Sequence, residues 1–242
     1  MMNMSNLKRQ LNSWPKVLPK LSVEQEAARE KFMQLWHEIL PKKYGRIEEF
    51  NHGYVARLLH EQGSKTLEIG AGLGEHAKFE ELRTQDYYCL EYRESFCEQL
   101  RNKMPKNRVF CGDIQKRQAW SDGFFDRVIA IHVLEHLPDL PKALEEICRL
   151  LKDGGVFDVV IPCEGSLLYS LARKVSAERV FVKNFKMDYL PIILNEHVNT
   201  YSEIHRLLVQ GFSVQKSEFF PFRVPIADMN LVVGLRLIKN EK

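Results

Sequence analysis

LEIGAGLGEH, residues 67–76, is a short apolar run that breaks into glycines at alternating positions, Gly70, Gly72 and Gly74. The apolar part reads as a buried strand and the glycines as the loop that ends it. A residue without Cβ lets the chain turn sharply and lets a ligand lie almost against the peptide planes, so the loop suits a nucleotide. Taking 66–69 as the first strand, further strand-like runs follow at 87–91, 108–111, 125–131 and 155–161. Between them, helical spacing appears at 75–82, 94–103 and 140–151. This alternation predicts an α/β fold, doubly wound around a mostly parallel sheet, with ligands at the C-terminal ends of the strands. It lapses after Pro162 and resumes near residue 200, with a helix at 202–210 and strands at 212–220 and 231–238. Nothing between those two strands has helical spacing, so they predict an antiparallel hairpin closing the sheet.

Upstream of the loop, residues 1–20 carry Lys8, Arg9, Lys16 and Lys20 with no acidic residue, and Pro15 and Pro19 interrupt any helix. They read as a mobile or loosely docked arm. A helix is expected over 22–40, with Ser22 as N-cap, Gln25 completing a capping box, an apolar stripe of Phe32, Trp36 and Leu40, and Pro41 after its end. A second is expected over 47–62, stopping at Gly63. Residues 1–63 therefore read as an arm and helical cap, and 64–242 as one domain whose insertion, 162–200, forms a lid with the cap. Within the lid, Arg173, Lys174, Arg179, Lys183 and Lys186 stand against Glu178 alone over 167–187, interleaved with apolar residues. A basic and apolar lid suits an anionic small molecule or a lipid- or phosphate-bearing one, and leaves peripheral membrane contact open. An amphipathic helix with a solvated basic face explains the same pattern.

The bulk composition narrows the class. With 242 residues, 45% of them apolar, the chain can bury a large core. Five scattered cysteines, Cys89, Cys97, Cys111, Cys148 and Cys163, show no CxxC or Cys/His ligand spacing, which points to a reducing compartment and no metal. No signal-peptide pattern and no apolar run approaching the ~20 residues of a membrane span occurs, so a cytoplasmic location is expected. A net charge of +3 is too small to imply a nucleic-acid partner.

Two carboxylates follow the glycine loop in strand order. Glu91 ends the second strand, where a carboxylate can accept hydrogen bonds from both hydroxyls of a ribose. Asp113, in VFCGDIQ, sits past the third strand, suitably placed for an adenine amine, with Ile114 to pack on the ring. A turn-capping aspartate is the plainer alternative. A dinucleotide loop wants a small residue where this chain has Glu75, and a second anion at that helix start opposes a pyrophosphate. A ligand without phosphates fits better.

On LEIGAGLG, YYCLEY, CGDI, FFDRVIAIHVLEHLPD and LLKDGGVFDVVIP, the stretch 65–161 resembles the class I S-adenosylmethionine-dependent methyltransferases, of the small-molecule type. The resemblance implies a Rossmann-like seven-stranded sheet whose last pair is a reversed hairpin, with S-adenosylmethionine as cofactor. It implies Glu68, Gly70, Ala71, Gly72 and Gly74 along the methionine and ribose portion, Glu91 and Tyr92 at the ribose, Asp113 and Ile114 at the adenine, and the backbone of Ile131 and His132 at the amino group. The acceptor would be an O or N atom of a small molecule. Relatives that methylate nucleic-acid amines carry an Asn/Asp-Pro-Pro-Tyr-like tetrad where this chain has His132, Val133, Leu134 and Glu135, so no nucleic-acid partner is expected. For a proton acceptor, His132 and His136 flank the fourth strand end, His197 lies in NEHVN, and His52 lies in the second cap helix. Packing or capping accounts for any one of these histidines equally well. Two other classes remain open, a nicotinamide-dependent oxidoreductase and a cofactor-binding partner subunit without turnover; oligomeric state is open too.

Overall fold

A computed structural model describes residues 14–58 and 62–240. Seven strands form one sheet: β1 (Lys65–Ile69), β2 (Asp86–Glu91), β3 (Val109–Cys111), β4 (Phe125–Ile131), β5 (Leu151–Pro162), β6 (Phe212–Phe220) and β7 (Val232–Lys239). Their order is β3-β2-β1-β4-β5-β7-β6. β1 through β5 pair in parallel, and β7 runs antiparallel between β5 and β6. The last pair is thus the reversed hairpin that the sequence predicts. Chain direction reverses sideways at β1, where β2 lies on one side and β4 on the other, and the crevice opens there at the strand ends.

Both faces of the sheet are buried, because successive side chains point to opposite faces; one set is apolar, and the other mixes apolar residues with Thr66, Glu68, Arg127 and Asp158. On one face, Leu67, Ile69, Val128, Ala130, Phe157, Val159 and Ile161 meet α4 (Leu140–Leu150) and α8 (Tyr201–Gly211). On the other, Cys89, Ile129 and Val160 meet α2 (Gly45–Ala56) and α3 (Glu94–Arg101). Helix α2 lies so close that a Cβ on Gly234 would stand 2.3 Å from the Tyr54 ring, so β7 needs glycine there.

Helix α1 (Val23–Lys43) begins on the expected capping box: Gln25 N donates to Ser22 Oγ at 3.2 Å and Ser22 N to Gln25 Oε1 at 2.9 Å. It runs through Pro41 instead of stopping before it. A proline in the last turn removes only one intrahelical bond. Its apolar side packs on the lid, Phe32 meeting Phe181, Phe185 and Tyr189 edge-on. The lid is three short helices, α5 (Leu167–Arg173), α6 (Arg179–Phe185) and α7 (Leu190–Glu196), with a wide turn at Lys174–Glu178 joining the first two.

Three expectations change. The helix expected at 75–82 is only the tight turn His76–Lys78, because Glu80 turns inward to pair with Arg127 and His76 and cannot stay on a solvent face. The second cap helix ends at Ala56, and residues 59–61 of its expected span lie outside the described residues. The described part of the arm is docked: Lys16 N donates to Pro138 O at 2.8 Å, Lys16 Nζ to Val198 O at 2.8 Å and Glu203 Oε1 at 2.7 Å. Residues 1–13 lie outside the described residues. No helix among the described residues is long and apolar enough to cross a membrane.

Candidate functional site

The glycine loop leaves β1 at Gly70, Gly72 and Gly74, all with positive φ (65°, 54° and 81°). A Cβ on Gly70 would stand 2.5 Å from Val133 Cγ2, so the Val133 side chain fills the space that any other residue would need there. Glu91 closes the loop from β2: its Oε2 accepts from Gly72 N and its Oε1 from Arg93 N, both at 2.9 Å. Glu75 Oε2 accepts from Leu73 N at 2.9 Å. The loop amides that a pyrophosphate would need are therefore held by two carboxylates, and the local charge suits a cationic ligand. This fits S-adenosylmethionine, whose sulfonium and ammonium are positive, and it extends the argument from Glu75.

Glu68 is buried behind the loop and accepts from the Tyr87 hydroxyl at 2.8 Å. Burial, offset in part by Tyr87, pushes its carboxyl up to about 8. Ala71 is buried in the loop, and Ile131 is half-buried at the end of β4. Asp113 Oδ1 accepts from Gln115 N and Nε2, each at 3.0 Å, so it caps its own turn at the crevice edge. Ile114 is buried among the core residues, and Tyr92 is 73% exposed at the surface.

The end of β4 carries the other half of the site. His132 has a left-handed backbone, φ 52°, and its amide donates to Val160 O at 2.9 Å, which fixes it beside β5. A tight turn, Leu134–His136, follows. Asn199, fully buried, donates from Nδ2 to Leu134 O and Leu137 O, each at 2.8 Å, and the amides of Val198 and Asn199 donate to Glu135 O. These bonds clamp the segment after α7 onto the turn after β4, and so bring His197 to His136. The two rings meet edge to face with centroids 4.9 Å apart. His136 Nδ1 lies 2.7 Å from Glu196 O, and His197 Nδ1 2.8 Å from Glu164 Oε2.

Between these rings lies Glu135, wholly buried. Burial raises its carboxyl, but the hydrogen bond from His132 and the fields of His136, His132 and His197 outweigh it and bring the group down to about 2. Burial lowers His136, leaving it neutral and able to accept a proton at ordinary pH. His52 is engaged elsewhere, stacked on Phe79 and His76 at 5.1 and 5.5 Å.

Three carboxylates of this cluster, Glu135, Glu164 and Glu196, are not among the site residues read from the sequence. The string HVLEH held the signal for one of them, since it sets a carboxylate directly beside an imidazole. The other two need the lid folded over. Nor does the basic stretch of the lid line the cleft: Lys174, Arg179, Lys183 and Lys186 face solvent. Arg173 alone of the five is drawn in, donating to Glu164 Oε1 at 2.8 Å. The basic face is the solvated one.

Comparison with known proteins agrees with this geometry. Residues 67–159 match the family model described as a methyltransferase domain. A sterol 24-C-methyltransferase of Schizosaccharomyces pombe is 30% identical over 119 residues, covering 47% of this chain and 32% of that protein. An (S)-coclaurine N-methyltransferase of Papaver somniferum is 28% identical over 125 residues, covering 48% and 34%. The chain thus spans about a third of the length of these curated relatives. Among solved structures, a SAM-dependent methyltransferase from Aquifex aeolicus superposes with TM-score 0.58 at 14% identity, covering 88% of this chain and 98% of that one. Over residues 67–159 the chain is thus similar to a methyltransferase domain, and its sheet has the fold of the S-adenosylmethionine-dependent methyltransferases.

Proposed function

We propose that this chain transfers a methyl group from S-adenosylmethionine to an oxygen or nitrogen of a small-molecule acceptor, bound between the ends of β4 and β5 and the lid. The observation that carries this reading is the His136–His197 pair, clamped against the strand end next to the glycine loop. Gly70, Gly72, Glu91 and Asp113 would hold the cofactor. When bound, it supplies a methyl already activated by a positively charged sulfur.

What remains for the protein is largely alignment and removal of one proton from the acceptor. The Nδ1 atoms of His136 and His197 face a carbonyl and a carboxylate, which only accept, so each ring carries its hydrogen there and leaves Nε2 as its lone-pair nitrogen. Either Nε2 can take a proton from an acceptor hydroxyl or ammonium. Glu164 and Glu196 keep the rings in that tautomer.

Calorimetry with S-adenosylmethionine and with NAD, run separately, tests the cofactor half. Saturable binding of S-adenosylmethionine is expected; NAD binding without it would overturn the reading in favour of an oxidoreductase. Labelled cofactor incubated with extract fractions and read by mass spectrometry tests the acceptor half. The double substitution His136→Ala, His197→Ala is expected to keep cofactor binding and lose transfer.

A further inference from the structure

Glu135 is the most enclosed carboxylate of the crevice, and half of it is unanswered. Its Oε1 accepts from His132 Nδ1 at 3.1 Å, whereas Oε2 is buried with no hydrogen-bond partner. A buried carboxylate is costly unless paired charge or a metal meets it. Two imidazoles converge on the same space. One ligand atom from each of Glu135, His136 and His197 can be chosen so that all lie within 4.8 Å of one another.

The surroundings of the two rings also match what metal ligands have. A ligating histidine ordinarily donates its second ring nitrogen to a carbonyl or carboxylate, which fixes the tautomer and raises the basicity of the ligating nitrogen. His136 Nδ1 has Glu196 O at 2.7 Å and His197 Nδ1 has Glu164 Oε2 at 2.8 Å. Those partners are braced in turn. Arg173 Nη1 donates to Glu164 Oε1 at 2.8 Å, and Arg29 Nη1 lies 3.4 Å from Glu196 Oε1.

We propose that Glu135, His136 and His197 bind a divalent transition-metal ion. Two imidazole nitrogens and one carboxylate oxygen suit zinc, iron, nickel or copper, whereas magnesium and calcium prefer oxygen ligands throughout. Three protein ligands leave a coordination position for an outside oxygen. On the methyltransferase reading, and on that clause alone, the position takes an oxygen of the acceptor, and the ion, in place of a free ring nitrogen, then eases loss of that oxygen's proton and selects substrates that can ligate a metal.

The test uses the untagged full-length chain, stripped with a chelator and titrated with Zn2+ against a chromophoric competitor, with bound metal counted by elemental analysis. One ion per chain is expected. Affinity should fall at least ~10-fold in His136→Ala, His197→Ala and Glu135→Gln, and about 10- to 100-fold in Glu164→Ala, which removes only an outer partner. If the buried Glu135→Gln fails to fold by circular dichroism, the half-buried His197 carries the test. No stoichiometric Zn2+ in the parent protein, or Zn2+ affinity unchanged in the His136→Ala, His197→Ala double variant, overturns the site. S-adenosylmethionine calorimetry on the same samples separates the two proposals. Cofactor binding without zinc overturns the metal site alone, and zinc without cofactor overturns the methyltransferase reading alone.

Discussion

At the scale of single residues, Glu91 and Asp113 test the cofactor half of the site. Each is expected to weaken S-adenosylmethionine binding by about 1–3 kcal/mol when changed to alanine, the range for losing hydrogen bonds to a charged acceptor, measured by calorimetry. Glu91→Ala should be the worse, because it also frees the amides of Gly72 and Arg93 that it now holds. Unchanged affinity in both would remove these residues from the site. Glu68 makes a different prediction. Its folded-state carboxyl is raised from 4.5 to about 8, so its contribution to stability is full below the lower value and is lost as pH rises through the upper one. Glu68→Gln stays neutral and can still accept from Tyr87. Denaturant midpoints of the wild type should therefore decline relative to Glu68→Gln between those two pH values. Parallel profiles would mean that Glu68 is already ionised in the fold.

Among the elements, α8 ties the most together. Its N-cap is a full capping box: Glu203 N donates to Thr200 Oγ1 at 3.4 Å and Thr200 N to Glu203 Oε2 at 2.9 Å. Thr200→Ala is expected to cost about 1 kcal/mol in urea denaturation, the usual cost of a lost cap. Glu203→Ala should cost more, since Lys16 of the arm also bonds to Glu203, and Lys16 would be left without its carboxylate. That larger loss should come with easier proteolysis of the arm. Equal losses in the two variants would show that the arm docks independently of α8. The contrast with the expected helix at 75–82 is physical. Thr200 and Glu203 serve their own helix, whereas Glu80 spends its charge on a partner from a distant strand.

At the scale of the whole molecule, an ionic network beneath α2 joins segments far apart in sequence. Arg127 of β4, 2% exposed, donates to Glu80 at 3.0 and 3.1 Å, to Asp158 of β5 at 2.7 Å and to Val55 O of α2 at 3.1 Å. Arg236 of β7 completes it on Asp158. Burial raises the Glu80 carboxyl, but His76 and Arg127 outweigh that and hold it down to about 2. Arg127→Met leaves two carboxylates buried without it and is expected to destabilise the fold by about 3–5 kcal/mol in denaturant titration. A loss below ~1 kcal/mol would mean that water reaches the network.

The sequence by itself determined the sheet, the cofactor loop and the family resemblance. Strand periodicity, glycines and strand-end acids are local patterns, and a parallel sheet places them in a fixed order whatever covers it. Gly70 to Gly74, Glu91 and the closing hairpin were legible for that reason. The meeting of the two histidines was decided only by tertiary structure. His136 and His197 are separated by a strand and the lid, and they meet because Asn199 clamps the chain after α7 onto the turn after β4. The solvent-facing lid lysines and the buried Arg127 show the same limit. A side chain's charge is written in the sequence, but its partner is set by long-range packing.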